Sequence, residues 1–165
     1  MSRIKNTNLL RNDDALASYF YDIADELTSI AIKITGNVDV DDILSETIIK
    51  TFKNRNKIKQ PQYLKTWIIR VLINNCNDSL RASNRFVELE ADDIEISTDN
   101  SNFDFVNDYV SKLPTNYRSI IVLKHFSGLT FSEIAKVLSM NESTVKYQHY
   151  KALELLRVEM EEIYE

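Results

Sequence analysis

Two glycines and two prolines in 165 residues leave almost nothing from which to build tight hairpin turns. Sheet-rich folds place Gly or Pro at nearly every reversal, whereas helices joined by short polar links do not. The chain is therefore read as all-α. Apolar residues make up 44% and charged residues 27%, values of an ordinary packed protein, and Ile recurs too often for intrinsic disorder. The length suits one medium domain or two small ones and leaves no room for a barrel enzyme.

The chemistry available is thin. One cysteine, Cys76, cannot form an internal disulfide, and His125 and His149 stand too far from it in sequence for a metal-ligand spacing. Neither a nucleophile with its base nor a Gly-rich phosphate loop is present. The expectation is a protein with no catalytic residues, no metal and no cofactor. No apolar run approaches the roughly 18 residues a membrane span needs. The opening Met1 to Leu10 is polar and lacks a signal-peptide core, so a cytoplasmic protein without membrane insertion is expected.

The net charge of -5 argues against nucleic acid only until its distribution is examined. Residues 86–112 hold eight acids against one base, an acidic strip in the middle of the chain. Lys50 to Arg85 carries nine bases against Asp78 alone. Such a run is ordinarily a solvated helix face, but aromatic and amide residues lie among these bases, which brings a nucleic-acid-binding face into contention beside it.

Hydrophobic spacing places the elements. Leu16, Phe20, Ile23, Leu27, Ile30 and Ile34 form one stripe of a helix from about Asp13 to Ile34, which Gly36-Asn37 stops. Asp39, Asp41 and Asp42 suit the positive end of a second helix, with Leu44, Ile48, Thr51 and Phe52 inside and Asp42, Ser45 and Glu46 outside. A basic loop, Asn54 to Gln60, leads through Pro61 to a third helix from about Tyr63 to Arg81, with Ile69, Leu72, Ile73, Cys76 and Leu80 buried. Cys76 reads as a core thiol. On the opposite face Trp67, Arg70, Asn74, Asp78 and Arg81 line up, offering the stacking, guanidinium and amide groups suited to unpaired bases. Spacing alone fits equally well a Trp67 that plugs the core and an Asp78 that pairs with Arg81.

From about Phe86 to Asn102 the periodicity lapses into Ser, Thr, Asn and acids, which reads as a flexible linker between two domains. The second domain begins near Phe103 and carries a helix-turn-helix pattern: Tyr117 to Phe126, Gly128, Phe131 to Leu138, the turn Ser139-Met140-Asn141, and a helix from Glu142 to about Glu159. Thr130 to Glu133 fits a capping box. Val145, His149, Ala152 and Leu156 face inward on the last helix, leaving Lys146, Tyr147, Tyr150 and Lys151 outside near its start, where recognition helices meet base edges and phosphates. A plain helical hairpin with solvated lysines has the same pattern. His149 reads as a packed side chain rather than a ligand.

From about Asp13 to Arg157 the sequence resembles the extracytoplasmic function (ECF) sigma factors, small promoter-specificity subunits of bacterial RNA polymerase. D-D-I-L-S-E-T-I (Asp41 to Ile48) is similar to their core-polymerase-binding helix, and Y-L-K-T-W-I-I-R-V-L-I-N-N-C-N-D-S-L-R (Tyr63 to Arg81) to the helix that opens and reads the minus-ten element. Leu113 to Leu138, followed by Ser143 to Leu153, looks like the domain that binds the minus-thirty-five element. The resemblance implies a first domain over residues 1–85, an acidic linker over 86–104 and a second domain over 105–165. It implies core binding through Asp41, Asp42, Ser45, Glu46 and Ile49. It gives minus-ten contacts to Lys57, Lys59, Lys65, Trp67, Arg70, Asn74, Asp78 and Arg81, and minus-thirty-five contacts to Thr130, Ser143, Lys146, Tyr147, Gln148, Tyr150 and Lys151. Gln148 would pair with adenine and the lysines would meet phosphate.

The implied partners are RNA polymerase core, promoter DNA and an anti-sigma factor; the protein itself would catalyse nothing. The linker acids, Glu88 to Asp108, would thread the polymerase and mimic nucleic acid in its empty RNA channel. The family usually has Gln at Ser45, Arg at Gln148, Leu at His149, Arg at Leu153 and Gly at Ser139, so this recognition helix is less basic than its relatives'. Competing readings are a helix-turn-helix regulator that binds DNA without polymerase, a specialised sigma-like activator of toxin or bacteriocin genes, and an interaction scaffold. The first leaves Asp41 to Arg81 unexplained.

Overall fold

The computed structural model describes residues 9–89 and 104–164, all helices and short turns with no strand among the described residues. Helix α1 (Asp13–Thr35) begins where Asn12 accepts a hydrogen bond from the Ala15 amide at 3.1 Å, with Asp13 and Asp14 at its positive end. It ends at Gly36, whose φ of 68° lies in the left-handed region and whose N–H returns to the Ile32 carbonyl at 2.8 Å. Leu16, Phe20, Leu27, Ile30 and Ile34 are buried along the expected stripe, and Ile23 packs partly against the same core.

Helix α2 (Val40–Asn54) buries Ile43, Thr47 and Thr51, with Leu44 and Phe52 half-buried. Its inner face is thus turned by about one residue from the expected one, and Ile48 is exposed. Buried threonines are affordable here because Thr47 and Thr51 donate to the carbonyls of Ile43 and Thr47, at 2.7 and 2.8 Å. Short 3₁₀ turns at Arg55–Lys57 and Pro61–Tyr63 then deliver the chain to α3 (Leu64–Leu89).

Helix α3 is the spine of the first half. Leu64, Ile68, Ile69, Leu72, Ile73 and Cys76 are all at most 1% exposed, each large apolar one worth about 1.5–3 kcal/mol of burial. Burial pushes the Cys76 thiol up to about 12, so it stays protonated as a core group. The helix continues past Arg81 to Leu89, because Ala82, Ser83 and Asn84 carry no breaker even though the apolar stripe has ended. Residues 90–103, which include most of the acidic segment and Phe103, lie outside the described residues, and so does the reading of that segment as a linker.

The second half comprises α4 (Asp104–Lys112), α5 (Thr115–Ile121), α6 (Phe131–Leu138) and α7 (Glu142–Tyr164). Between α5 and α6 the chain widens into a π turn, Val122–Phe126, closed by Ser127 N to Val122 O at 3.1 Å, where plain helix was expected. Helix α6 starts on the expected capping box: the Glu133 amide donates to Thr130 Oγ1 at 3.2 Å and the Thr130 amide to the Glu133 carboxylate at 2.8 Å. It ends at Ser139, which holds φ 55°. Helix α7 runs about one and a half turns beyond the expected end, with Val145, His149 and Ala152 buried and Leu156 half-buried as anticipated.

The two halves lie against each other and share one connected core. Arg118 of α5 donates to the Ile34 carbonyl at the end of α1 (2.6 Å), to the Ser111 carbonyl in the last turn of α4 (2.6 Å) and to the Leu113 carbonyl just beyond it (3.0 Å). Lys136 of α6 lies over the Tyr63 ring at 5.7 Å and Lys33 of α1 over Phe126 at 4.8 Å.

Two changes around α6 should move stability in opposite directions. Thr130→Ala removes the cap and is expected to cost about 1 kcal/mol. Ser139→Gly relieves a left-handed residue with a side chain and should add about 1 kcal/mol, a rise of roughly 2–4 °C in Tm. Thermal unfolding of the two variants beside the parent checks both.

Candidate nucleic-acid interface

Three faces of the molecule carry the residues singled out from the sequence. On α2, Asp41, Asp42, Ser45, Glu46 and Ile49 are all exposed, and Ile48 joins Ile49 as an open apolar pair among acids. Only Glu46 has an internal ion partner, Lys50 one turn on at 3.6 Å. An acidic face with exposed isoleucines suits a basic protein surface better than it suits phosphate.

The second face belongs to α3 and the loop before it. Lys57, Lys59, Arg70 and Asn74 are exposed, with Arg70 and Asn74 one turn apart. Lys65 is committed elsewhere, in an ion pair with Glu26 of α1 at 2.8 Å. Trp67 is half-buried and packs against the core, while Asp78 and Arg81 pair at 3.2 Å in open solvent. Of the alternative that spacing left open, the Asp78–Arg81 pair is present, while Trp67 is partly buried rather than enclosed. An exposed pair of this kind is worth little and yields readily to a phosphate.

The third face is the start of α7. Ser143, Lys146, Tyr147, Tyr150 and Lys151 are exposed, Tyr147 at 61% and Tyr150 at 65%. Exposed there, the two tyrosines offer rings and hydroxyls to a groove. Lys146 pairs with Glu142 and Lys151 with Glu154, each at 3.1 Å, and that hydrogen bond and charge from Glu154 raise the Lys151 pKa. Gln148 does not join them: it is half-buried, and its Oε1 is enclosed without a hydrogen-bond partner. Thr130 is exposed, but its hydroxyl is occupied as the α6 cap.

Four further features escaped the sequence reading. Asn75, 6% exposed, accepts from Lys50 Nζ at 2.6 Å and donates to Thr47 Oγ1 at 3.0 Å, joining α2 to α3. A lone Asn beside an apolar stripe carries no signature of that role. Arg118 binds three carbonyls, and burial lowers its pKa. A cleft of about 350 Å3 opens between the halves, lined by Asn77, Leu80, Arg81, Ser119, Leu138 and Met140 among others. His125 and His149 meet nitrogen to nitrogen at 2.9 Å. Among the described residues no helix is long and apolar enough to cross a membrane.

Comparison with known proteins follows this division of the chain. Residues 20–86 match the model of Sigma-70 region 2, and residues 106–156 that of Sigma-70, region 4. The RNA polymerase sigma factor SigV of Bacillus subtilis is 28% identical over 74% of this chain and 76% of its own. The ECF RNA polymerase sigma factor SigW of the same organism is 25% identical over 92% of both. The sigma factor RpoE of Bartonella quintana, solved with the anti-sigma factor NepR, superposes with a TM-score of 0.76 at 18% identity, covering 88% of this chain and 96% of that one. CnrH, solved with the cytosolic domain of CnrY, gives 0.70 at 20% identity over 92% and 90%. With both sigma regions in order along it, the chain belongs to the family of ECF sigma factors.

Proposed function

We propose that the chain is an alternative sigma factor that docks on RNA polymerase core through α2 and directs initiation by reading promoter DNA with α3 and α7. The observation that carries this is the sequential match to sigma regions 2 and 4, each containing an exposed face of fitting chemistry. Asp41, Asp42, Ser45, Glu46 and Ile49 meet a basic surface of the core, where complementary charge speeds encounter and sets register. Arg70 and Asn74, with Lys57 and Lys59, take the non-template strand of the opening minus-ten element; Arg81 joins them when its pair with Asp78 opens. Unstacking a base costs a few kcal/mol, offset by phosphate neutralisation and polar contacts. Trp67 contributes the edge it leaves exposed, and Lys65 mainly braces α3 against α1.

At the upstream element, Lys146 and Lys151 bind phosphate, while Ser143, Tyr147 and Tyr150 meet the major groove. Gln148 would have to turn outward to reach adenine. No step requires bond chemistry from this chain, so the protein acts as an initiation factor and not as an enzyme, in the cytoplasm where the polymerase is. The structural neighbour solved with the anti-sigma factor NepR supports a regulatory partner of that kind here.

The two DNA faces serve elements about two duplex turns apart, roughly 70 Å. Residues 90–103, fully extended, reach only about 50 Å, so engaging both elements requires the halves to part and their ends to add to the span. Polymerase binding supplies the free energy for that separation.

Run-off transcription with bacterial core polymerase on a pool of promoter fragments, including the one upstream of the chain's own gene, tests the reading. Specific transcripts should require both components. Asn74→Ala is expected to lower open-complex formation by about 1–3 kcal/mol, roughly 5- to 150-fold, with core binding intact. Lys146→Glu with Lys151→Glu should reduce promoter affinity at least about tenfold and flatten its salt dependence. DNA binding without polymerase, and no start site with it, would replace this reading with a plain helix-turn-helix regulator.

Core association should respond to Glu46→Lys. The on-rate measured by stopped flow is expected to fall about tenfold at low salt, and the difference should shrink as ionic strength rises.

A further inference from the structure

His125, in the π turn, and His149, on α7, are the two histidines of the chain. Their ring centres are 5.1 Å apart with planes 23° from parallel. That separation exceeds the 2.9 Å Nε2 to Nε2 contact by about two imidazole ring radii, so the rings meet edge to edge, nearly coplanar. This is the geometry of an N–H···N hydrogen bond, in which one ring donates and the other accepts.

The surroundings decide which ring donates. His149 is 6% exposed, and its Nδ1 is enclosed with no hydrogen-bond partner. A proton there would be a buried donor without an acceptor, the rarer and costlier kind of orphan. His149 therefore keeps its proton on Nε2 and donates to His125 Nε2, while exposed His125 carries its proton on Nδ1.

We propose that His125 is a positioning residue for the recognition helix: by accepting from His149 it holds the start of α7 against the π turn and α6, and protonation of the pair releases that hold and weakens upstream promoter binding. This rests on the role given to α7 above. A proton added to His149 Nδ1 meets no acceptor. One added to His125 Nε2 forces His149 to become the acceptor and moves its proton to the same enclosed Nδ1. Either route breaks the link or leaves a buried donor unmatched.

The neighbouring charges oppose the proton as well. Lys124 of the π turn lies over the Phe131 ring of α6 at 4.4 Å and Lys146 of α7 over the same ring at 5.9 Å. Phe131 and Tyr150 present ring edges or faces to His149 at 5.1 and 5.5 Å. Glu142 is held by Lys146, and Lys33 of α1 sits over Phe126, next to His125. Burial first, then His125 and Lys124, lower the His149 pKa. A lowered imidazole value means the hold is complete above about pH 6.5 and is lost as pH falls through the folded value.

With only two histidines, imidazole nitrogen spectra of the labelled full chain report the pair directly. The expected result is His149 as the Nε2–H tautomer, titrating below the ordinary value, with backbone amides of residues 145–151 following the same midpoint. Holoenzyme binding to the promoter fragment recovered by run-off transcription should weaken from pH 8 to pH 5.5 by up to about tenfold per unit, the limit for one coupled proton. His149→Leu and His125→Gln should flatten that profile while melting cooperatively near the parent. An ordinary solvent-like titration of His149, α7 amides that ignore it, or a parent-like profile in His149→Leu would overturn the proposal. Failure of the holoenzyme to find any promoter at all, with α7 still following the pair, would overturn the promoter reading rather than the coupling.

Discussion

The arrangement of the two halves turns on the Arg118 guanidinium. It is a planar fork of five donors, and here it meets carbonyls from three separate places, two where α4 gives way to α5 and one at the end of α1. Carbonyls at helix C-termini carry the negative end of the helix dipole, so a fixed cation suits them, and their bonds compensate for the burial that lowers the Arg118 pKa. The contacts differ in consequence. Those to Ser111 and Leu113 lie within the second half and travel with it, whereas the bond to Ile34 spans the junction. When the halves part, that one carbonyl and one N–H return to water, so the net cost of that bond is modest.

Charge pairing along α7 follows the same logic of contacts that are cheap to exchange. Glu142 and Glu154 occupy Lys146 and Lys151 in the free protein, at sites where ion pairs contribute at most about 1 kcal/mol. A phosphate, denser in charge than a solvated carboxylate, displaces them without unfolding anything. On the proposed reading, pairing of this kind, together with a net charge of -5, would keep the free chain from settling on arbitrary DNA and leave recognition to the assembled polymerase.

Legibility in the sequence tracked how local the determining interaction is. Helix α6 could be bounded from Thr130 to Leu138 because a capping box and a left-handed stop act within three residues of each end. The end of α3 could not, since Arg81 to Asn84 lose the apolar stripe without supplying a breaker. On α2 the expected stripe holds Thr51 but takes Leu44 and Ile48 where Ile43 and Thr47 are buried, because the Thr47 hydroxyl is satisfied by its own helix. The site divided similarly. Exposed Lys146, Tyr147 and Tyr150 were readable from periodicity, but Lys65 and Gln148 were not, because their fates depend on Glu26 and on enclosure by neighbours distant in sequence. Arg118 and the histidine pair, whose partners lie across the fold, had no sequence signal beyond an unexpected polar residue at an inward position.

The buried polar link between α2 and α3 shows why distant partners of this sort govern the surface. Asn75 is fixed at both ends, accepting from Lys50 and donating to Thr47, and each of those groups sits on the helix whose outer face carries Asp42 and Glu46. Asn74, its neighbour, faces solvent. A rotation of α3 large enough to turn Asn74 away would strand the Asn75 amide in a buried site, which costs about 1–3 kcal/mol. A Leu at position 75 would pack there but would tolerate such a rotation, because apolar contact is not directional. The polar pair therefore fixes the angle between the acidic face of α2 and the Asn74 edge of α3, so a partner held on one of these faces would also set the orientation of the other.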